Sequence, residues 1–326
     1  TAHKDVVASE GKKLLEAAKA NGRDFLYEAS VAGGIPIIRP LKQCLAGNHI
    51  TEVIGIFNGT TNFILTKMSK EGMEFDEALQ LAQDLGYAEA DPTSDIEGLD
   101  AGRKVAILAS AAFNSRVVFE NVYTEGIARI TARDILYAKE MGCEIKLLGV
   151  ARLTPEGIEA RVHPMLIDSD HPLASVQDSY NAVFVRGDAV QDTMFYGRGA
   201  GEMPTASAVV GDVFDCVRNI LADCCGRIGC TCYKDLPVRK ISDIRSKYFV
   251  RMEVEDRSGV LASVAAVFGN NDVSIAQVMQ KRKRSELAEI VVITETVQER
   301  HFMDAIRILE GMSLIRNISS LIRVYD

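Results

Sequence analysis

The densest run of groups able to do acid–base chemistry lies between Tyr87 and Lys104. Five carboxylates, on Glu89, Asp91, Asp95, Glu97 and Asp100, fall within twelve residues and end four short of Lys104. Asp100 and Lys104 at that spacing share one helix face. As an exposed ion pair they would contribute only about 0.3–0.5 kcal/mol. Yet Lys104 is followed by Val105-Ala106-Ile107-Leu108-Ala109, an apolar run that belongs inside. A lysine at the mouth of a buried helix has its pKa pulled down by burial and up by carboxylates. Such a lysine suits proton transfer, and the carboxylates beside it suit a substrate ammonium. The residues alone leave both readings open.

Other polar and glycine-rich features say less. Asn58-Gly59 reads as a tight turn. Gly197-Arg198-Gly199-Ala200-Gly201 precedes a helix and could bring bare backbone near a phosphate. It is not a dinucleotide fingerprint, because the spaced third glycine and the later acid are missing. Lys4 is a lone lysine near a terminus, and His163 and His171 are isolated, read as structural or surface groups. Cys224-Cys225 and Cys230-x-Cys232 lack the paired C-x2-C spacing of zinc sites and read as buried or incidental thiols.

Periodicity places these groups on elements. Asp5 to Asn21 has helical spacing and stops at Asn21-Gly22, and Asp24 to Val31 reads as a strand. Glu52 to Phe57 is a short strand ending at Asn58-Gly59, and Asn62 to Ser69 begins a helix. Phe75 to Leu85 is an amphipathic helix, Tyr87 to Gly98 a polar loop, and Leu99 to Ala112 a buried helix. From Lys146 to Val185 the pattern alternates as strands do, and a small-residue helix runs from Gly201 to Ala222. Pro237 to Lys247 looks like a linker. From Tyr248 onward a βαββαβ order appears, a ferredoxin-like unit.

Composition bounds the possibilities. The chain has 326 residues, 47% hydrophobic and 25% charged, enough for two or three domains with proper cores. Its net charge of −8 argues against a nucleic-acid partner, which demands a basic face. The run Lys281-Arg282-Lys283-Arg284 reads as a solvated hairpin loop. No apolar run approaches the length of a membrane span. Seven cysteines without an apolar leader suggest reduced thiols and a cytoplasmic setting.

The stretch Ala82-x3-Gly86-Tyr87-x4-Asp91-Pro92-x2-Asp95-Ile96-x-Gly98-x-Asp100-x3-Lys104 resembles the signature of the homoserine dehydrogenases. Glu28-Ala-Ser-Val31-Ala-Gly33-Gly34-Ile35-Pro36, Asn58-Gly59-Thr60 and Gly201-Glu202-x-Pro204-Thr205-Ala206 are further matches. Tyr248 to Asp326 resembles an ACT domain, with Asp256-Arg-Ser-Gly259-Val260-Leu261 as its typical turn. The resemblance implies an NAD- or NADP-dependent interconversion of homoserine and aspartate 4-semialdehyde. It implies Lys104 as proton donor, with Lys4 and Asp100 beside it as catalytic residues. Glu89 and Asp100 would hold the substrate amino group, with Gly59, Thr60, Tyr87 and Asp95 lining its pocket. Lys4, Gly86, Glu89, Gly199 and Gly201 would approach the cofactor. Glu28, Val31, Gly33 and Ile35 would form a monovalent cation site for Na⁺ or K⁺, largely of backbone carbonyls. Asp256, Gly259, Val260 and Leu261 would meet an amino-acid effector such as threonine, and the enzyme would be a homodimer or homotetramer.

The implied fold class is α/β and α+β. Residues 1–30 would be a remnant of a dinucleotide-binding domain with 197–235 packing back on it. Residues 31–196 would form a mixed-sheet substrate-binding and dimerisation domain, 236–247 a linker, and 248–326 the ACT domain. The family's lysine motif appears here as Thr1-Ala2-His3-Lys4, with His3 in place of asparagine, and the nucleotide-binding strand and glycine turn that precede it in the family are not in this sequence. The expectation is a piece of a longer enzyme, inactive without its cofactor domain. The alternative is a catalytically silent amino-acid-binding regulatory or interaction subunit.

Overall fold

The computed structural model describes residues 1–282 and 287–325. Helix α1 (Lys4–Ala20) is capped by His3, whose Nδ1 accepts from the Val6 amide at 3.4 Å. Next come β1 (Ile50–Ile56), α2 (Gly59–Glu71), α3 (Phe75–Asp84) and the one-turn α4 (Thr93–Ile96). Helix α5 (Leu99–Phe113) is followed by β2 (Tyr123–Thr124), α6 (Ala132–Glu140), β3 (Cys143–Thr154), β4 (Gly157–Asp168), β5 (Tyr180–Gly187), β6 (Gln191–Arg198) and α7 (Glu202–Leu221). The C-terminal unit comprises β7 (Arg245–Glu255), α8 (Val260–Asn270), β8 (Ile275–Arg282), β9 (Leu287–Thr294), the short β10 (Val297–Gln298), α9 (Glu299–Glu310) and β11 (Ile315–Val324).

These strands join in one mixed sheet of order β6-β5-β1-β3-β4-β11-β7-β9-β8. The four strands β11-β7-β9-β8 are the ferredoxin-like unit, all antiparallel. It is stitched to the rest by a parallel contact of β11 with β4, Arg323 beside Met165 and Val324 beside Leu166. Short β2 pairs in parallel with the same edge of β4, at Arg161 and Val162.

Helix α5 explains how the core positions the chemistry. It packs on β1, β3 and β4 on one side and on α1 on the other. Val105, Ala106, Leu108 and Ala109 are buried together, so the helix is apolar nearly all round. Gly98 precedes it at φ 76°, a left-handed conformation that glycine adopts without a Cβ penalty. Gly55 and Gly149 face each other across β1 and β3. A Cβ at Gly149 would stand 2.5 Å from the Phe57 ring, so the pair leaves room for that ring. Phe57 in turn presents its carbonyl to the site described below.

Two expectations need correction. Asp24 to Val31 is not a strand; it is irregular apart from a single 3-10 turn, Glu28–Ser30. Its backbone groups are satisfied by other means. The Thr1 amino group donates to Leu26 O at 2.8 Å, and the Glu28 amide donates to the Asp212 carboxylate at 3.0 Å. Pro237 to Lys247 is not a free linker. Ile158 N donates to Pro237 O and Arg239 N to Ile158 O, both at 2.8 Å, and Arg245 already begins β7. Edge pairing with the β3–β4 hairpin outweighs the polar composition. Strand β6 forms largely ahead of the glycine-rich run, in a stretch to which the periodicity assigned no element, and the turn α4 forms within the polar loop.

Outside the site, His163 is fully buried, and His171 Nδ1 accepts from the Leu173 amide. In the basic run, Lys281 pairs with Glu140, whereas Lys283 and Arg284 lie outside the described residues. No helix of the described residues is long and apolar enough to cross a membrane.

Candidate active site

A cavity of about 1040 Å³ opens where α1, α2, α5 and α7 converge. Asp100 is its electrostatic centre and is buried. Its Oδ2 accepts from Lys104 Nζ at 2.6 Å, and its Oδ1 meets Lys4 Nζ at 2.9 Å. Lys104 also donates to the Phe57 carbonyl at 2.6 Å. Burial pushes the Asp100 carboxyl up, but the Lys104 and Lys4 ammonium groups overcome that and hold it well below the usual carboxylate range. Burial pulls Lys4 down, and the carboxylates of Asp100, Asp5 and Asp95, Asp100 foremost, together raise it above its ordinary value. Two ammonium groups from separate helices therefore share one carboxylate at the cavity wall.

Asn58 completes the frame. It caps α2, its Oδ1 accepting from Thr61 N at 2.9 Å, which fixes the amide orientation. Its Nδ2 then donates to Asp95 at 2.6 Å and to Asp100 at 3.0 Å. Burial and the Asp100 charge push the Asp95 carboxyl up. The Thr60 hydroxyl donates to Tyr87 O at 2.7 Å, tying α2 to the loop that carries Glu89. Gly59, Thr60, Tyr87, Asp95, Gly86 and Glu89 all line this cavity, as do Gly199 and Gly201 on its far wall. Glu89 and Tyr87 are exposed at the mouth.

The far wall is tightly built. A Cβ on Gly33 would stand 2.4 Å from Gly199 O, and one on Gly199 would stand 2.0 Å from the Asn181 amide. Bare backbone there leads into the N-terminus of α7, whose unpaired amides favour a negative group. Beyond the cavity, α7 leaves Val213, Phe214, Val217, Ile220 and Leu221 exposed.

Around the expected cation loop, the Glu28 carboxylate is consumed by the main chain. It accepts from the amides of Ile37, Ile38 and Arg39 at 2.6–2.8 Å. A cation held by Glu28, Val31, Gly33 and Ile35 would therefore meet carbonyl oxygens rather than that carboxylate. Ala32, inside this loop, holds φ 57°, an uncommon conformation for a residue with a side chain. At the C-terminal turn, Gly259 holds φ 89° ahead of α8, Val260 is buried and Leu261 is partly exposed.

Sequence reasoning gave no role to Asn58 or Asn181. Asn58 carried a usable signal, an N-cap residue before a helix. Asn181 is the second residue of β5, and nothing in its sequence neighbourhood marks it.

Comparisons with known proteins bear on this arrangement. The homoserine dehydrogenase family model matches residues 36–214, and the ACT domain model matches residues 248–311. The homoserine dehydrogenase of Bacillus subtilis is 44% identical over 99% of this chain and 75% of its own length. The crystal structure of a homoserine dehydrogenase from Thiobacillus denitrificans superposes with a TM-score of 0.96 at 43% identity, over 100% of this chain and 76% of that one. A hyperthermophilic archaeal homoserine dehydrogenase solved in complex with NADPH superposes at 0.59, with 31% identity over 67% of this chain and 63% of its own. Family match, near-complete coverage of this chain and superposition agree: the chain belongs to the homoserine dehydrogenase family, and carries an ACT domain at its C-terminal end.

Proposed function

We propose that the cavity around Asp100 is where homoserine and aspartate 4-semialdehyde are interconverted, with Lys104 as the proton carrier. The observation that carries this reading is the Lys104–Asp100–Lys4 arrangement, two ammonium groups fixed on one carboxylate at the wall of an open cavity. When bound, NAD or NADP exchanges a hydride with the carbon that bears the oxygen. In the reducing direction Lys104 Nζ stabilises the charge growing on the carbonyl oxygen and gives it a proton. In the oxidising direction it takes the hydroxyl proton. Asp100 holds Lys104 and Lys4 in place, and its Oδ1, which meets Lys4, has a second lone pair for a substrate donor. Glu89 and Asp100 would hold the substrate amino group, with Asp95 on the same wall. Gly59, Thr60 and Tyr87 shape the wall that orients the reacting carbon.

Lys4, Gly86, Glu89, Gly199 and Gly201 would face the cofactor. The α7 N-terminus and the bare glycine backbone suit its phosphates. A monovalent cation, Na⁺ or K⁺, would sit on the carbonyls of Glu28, Val31, Gly33 and Ile35, bracing the loop against Gly199. Residues 1–30 with 197–235 would form the end of a nucleotide-binding domain, consistent with the apolar face that α7 leaves exposed. Residues 31–196 would bind substrate and dimerise, and 248–326 would bind an amino-acid effector such as threonine. A cytoplasmic homodimer or homotetramer fits this reading.

The test is homoserine-dependent reduction of NAD⁺ or NADP⁺ by the 326-residue chain, and by the chain joined to the N-terminal quarter of a relative. Turnover by the joined protein that vanishes on Lys104→Ala is the expected result. A Lys104→Ala protein with kcat within about twofold of its parent would remove the assigned role.

A further inference from the structure

Two of the seven cysteines differ from the rest in what surrounds them. Cys230 and Cys232 lie in the segment between α7 and β7, and Cys230 is exposed. Arg116 Nη2 donates to Cys230 Sγ at 3.4 Å, and Arg116 Nε is buried with no partner. Lys42 donates to the carbonyl of Gly229, the residue before Cys230, at 3.2 Å. Neither Arg116 nor Lys42 has a carboxylate partner among the described residues, and both charges act on the Cys230 sulfur.

Cys232 is half-buried beside it. Its thiol has one proton and two acceptors in reach, Ser110 O at 3.6 Å and the Cys230 sulfur. Burial pushes the Cys230 thiol up, but hydrogen bonds from the Cys232 amide and thiol, with the charges of Arg116 and Lys42, bring it below the ordinary cysteine value. Burial pushes the Cys232 thiol up, so that member of the pair keeps its proton. Cys143 and Cys216 are also pushed up, by burial and by the carboxylates near them.

The pair has the reach for a disulfide. Cα atoms two residues apart lie within about 7 Å, and disulfides span roughly 4.4–6.8 Å. Closing the bond therefore needs little movement of the main chain. Among the described residues no third histidine, cysteine or carboxylate joins the two sulfurs, so they do not make a zinc site. They pack on the two helices that carry Lys4 and Lys104. Val7 and Leu15 of α1, and Ile107, Ser110 and Ala111 of α5, line the small cavity beneath them.

We propose that Cys230 and Cys232 are a modification site, a dithiol that a hydroperoxide converts to a local disulfide. The Cys230 sulfur attacks one oxygen of hydrogen peroxide. A sulfur–oxygen bond forms, the oxygen–oxygen bond breaks, and the departing hydroxide takes a proton to become water. Arg116 beside the sulfur suits that departing charge. The Cys232 sulfur then displaces hydroxide from Cys230. The sulfur–sulfur bond forms, and the thiol proton leaves with the hydroxide as a second water. The two sulfurs together lose the two electrons that the peroxide gains. Ser110 O, in the last turn of α5, loses the proton that Cys232 gave it.

The experiment is peroxide oxidation of the reduced 326-residue chain, stopped by alkylation and read by mass spectrometry of tryptic peptides. Residues 228–234 leave as one peptide that holds Cys230 and Cys232 and no other cysteine. That peptide should become lighter by two hydrogens at least about tenfold faster than the equally exposed Cys44 is oxidised, and dithiothreitol should reverse the change. In concentrated guanidinium chloride the advantage should vanish. Cys232→Ser should leave a sulfenic acid on Cys230 that dimedone traps. Arg116→Gln should slow the first step about fivefold or more and move its pH profile upward. The parent's own kinetics need no variant, so a misfolded variant would not imitate the result. Equal rates at Cys44 and in 228–234, an advantage that survives unfolding, or a disulfide from Cys230 to Cys224 or Cys225 would each overturn the proposal. An unchanged rate in Arg116→Gln would remove the part given to that residue.

Discussion

Two lysines in this molecule make the same contact and face opposite fates. Lys104 Nζ donates to the Phe57 carbonyl at 2.6 Å, and Lys146 Nζ, on β3, donates to the Val176 carbonyl at 2.6 Å. Lys146 is sealed in, and among the described residues its one further hydrogen-bond partner is the Asn62 amide oxygen, at 3.4 Å. Burial pushes its pKa down to about 8. Lys104 is nearly as well covered, but it has Asp100 at 2.6 Å and a cavity in front of it. A carboxylate partner and an open face separate Lys104, which we propose as the proton carrier, from Lys146, which has neither a hydrogen-bonded carboxylate among the described residues nor that cavity. Burial alone does not.

The largest expected effect tests the open site. In a protein that turns over homoserine, Lys104→Ala should lower kcat by about 10³-fold with a small change in KM, measured by steady-state kinetics. Lys146→Met should leave kcat within about twofold, and an equal loss in both variants would erase the contrast.

The sealed site makes its own prediction through pH. Its folded pKa, about 8, lies below that of an unfolded lysine. Between those values the unfolded chain binds more protons, so stability rises with pH across that window. Below it, the full penalty of the buried ammonium is present. Denaturant unfolding from pH 8 to 10.5 should show the parent gaining about 3 kcal/mol relative to Lys146→Met. Parallel curves would show that Lys146 is not held at a penalty.

Asp100 reverses the sign. Its carboxyl is held below its unfolded value, so its contribution is complete above about pH 4 and lost as pH falls below that. Asp100→Asn should cost about 2 kcal/mol at pH 7 and remove part of the acid lability of the parent. Identical acid limbs would detach Asp100 from the two lysines. The smallest effect belongs to Asn58→Ala. Loss of the α2 cap should cost about 1 kcal/mol in the same assay.

Much of this arrangement was legible in the residues. The Asp100–Lys104 spacing, the buried run after it and the βαββαβ order are periodic signals, and the fold keeps them. What could not be read depends on distant partners. Asp24 to Val31 has the pattern of a strand, but its amide and carbonyl partners come from Asp212 and Thr1. Lys4 looked like a lone terminal lysine until α1 packed on α5 and brought it to Asp100. Lys146 carries no local mark, since its burial comes from strand pairing and from α2. The ion pair of Arg323 with Glu125 joins residues nearly two hundred positions apart, beyond any local pattern.

The pairing of β11 with β4 has a consequence for synthesis. During translation the Met165–Leu166 edge of β4 emerges long before Arg323 and Val324 exist to cover it. Through that interval the nascent chain carries an unpaired strand edge, the kind of surface on which wrong partners template. The strand that closes it is β11, made long after β4. The C-terminal ferredoxin-like unit would thus also cover the open edge of the sheet on which the candidate site stands, and that edge would stay exposed until β11 is made.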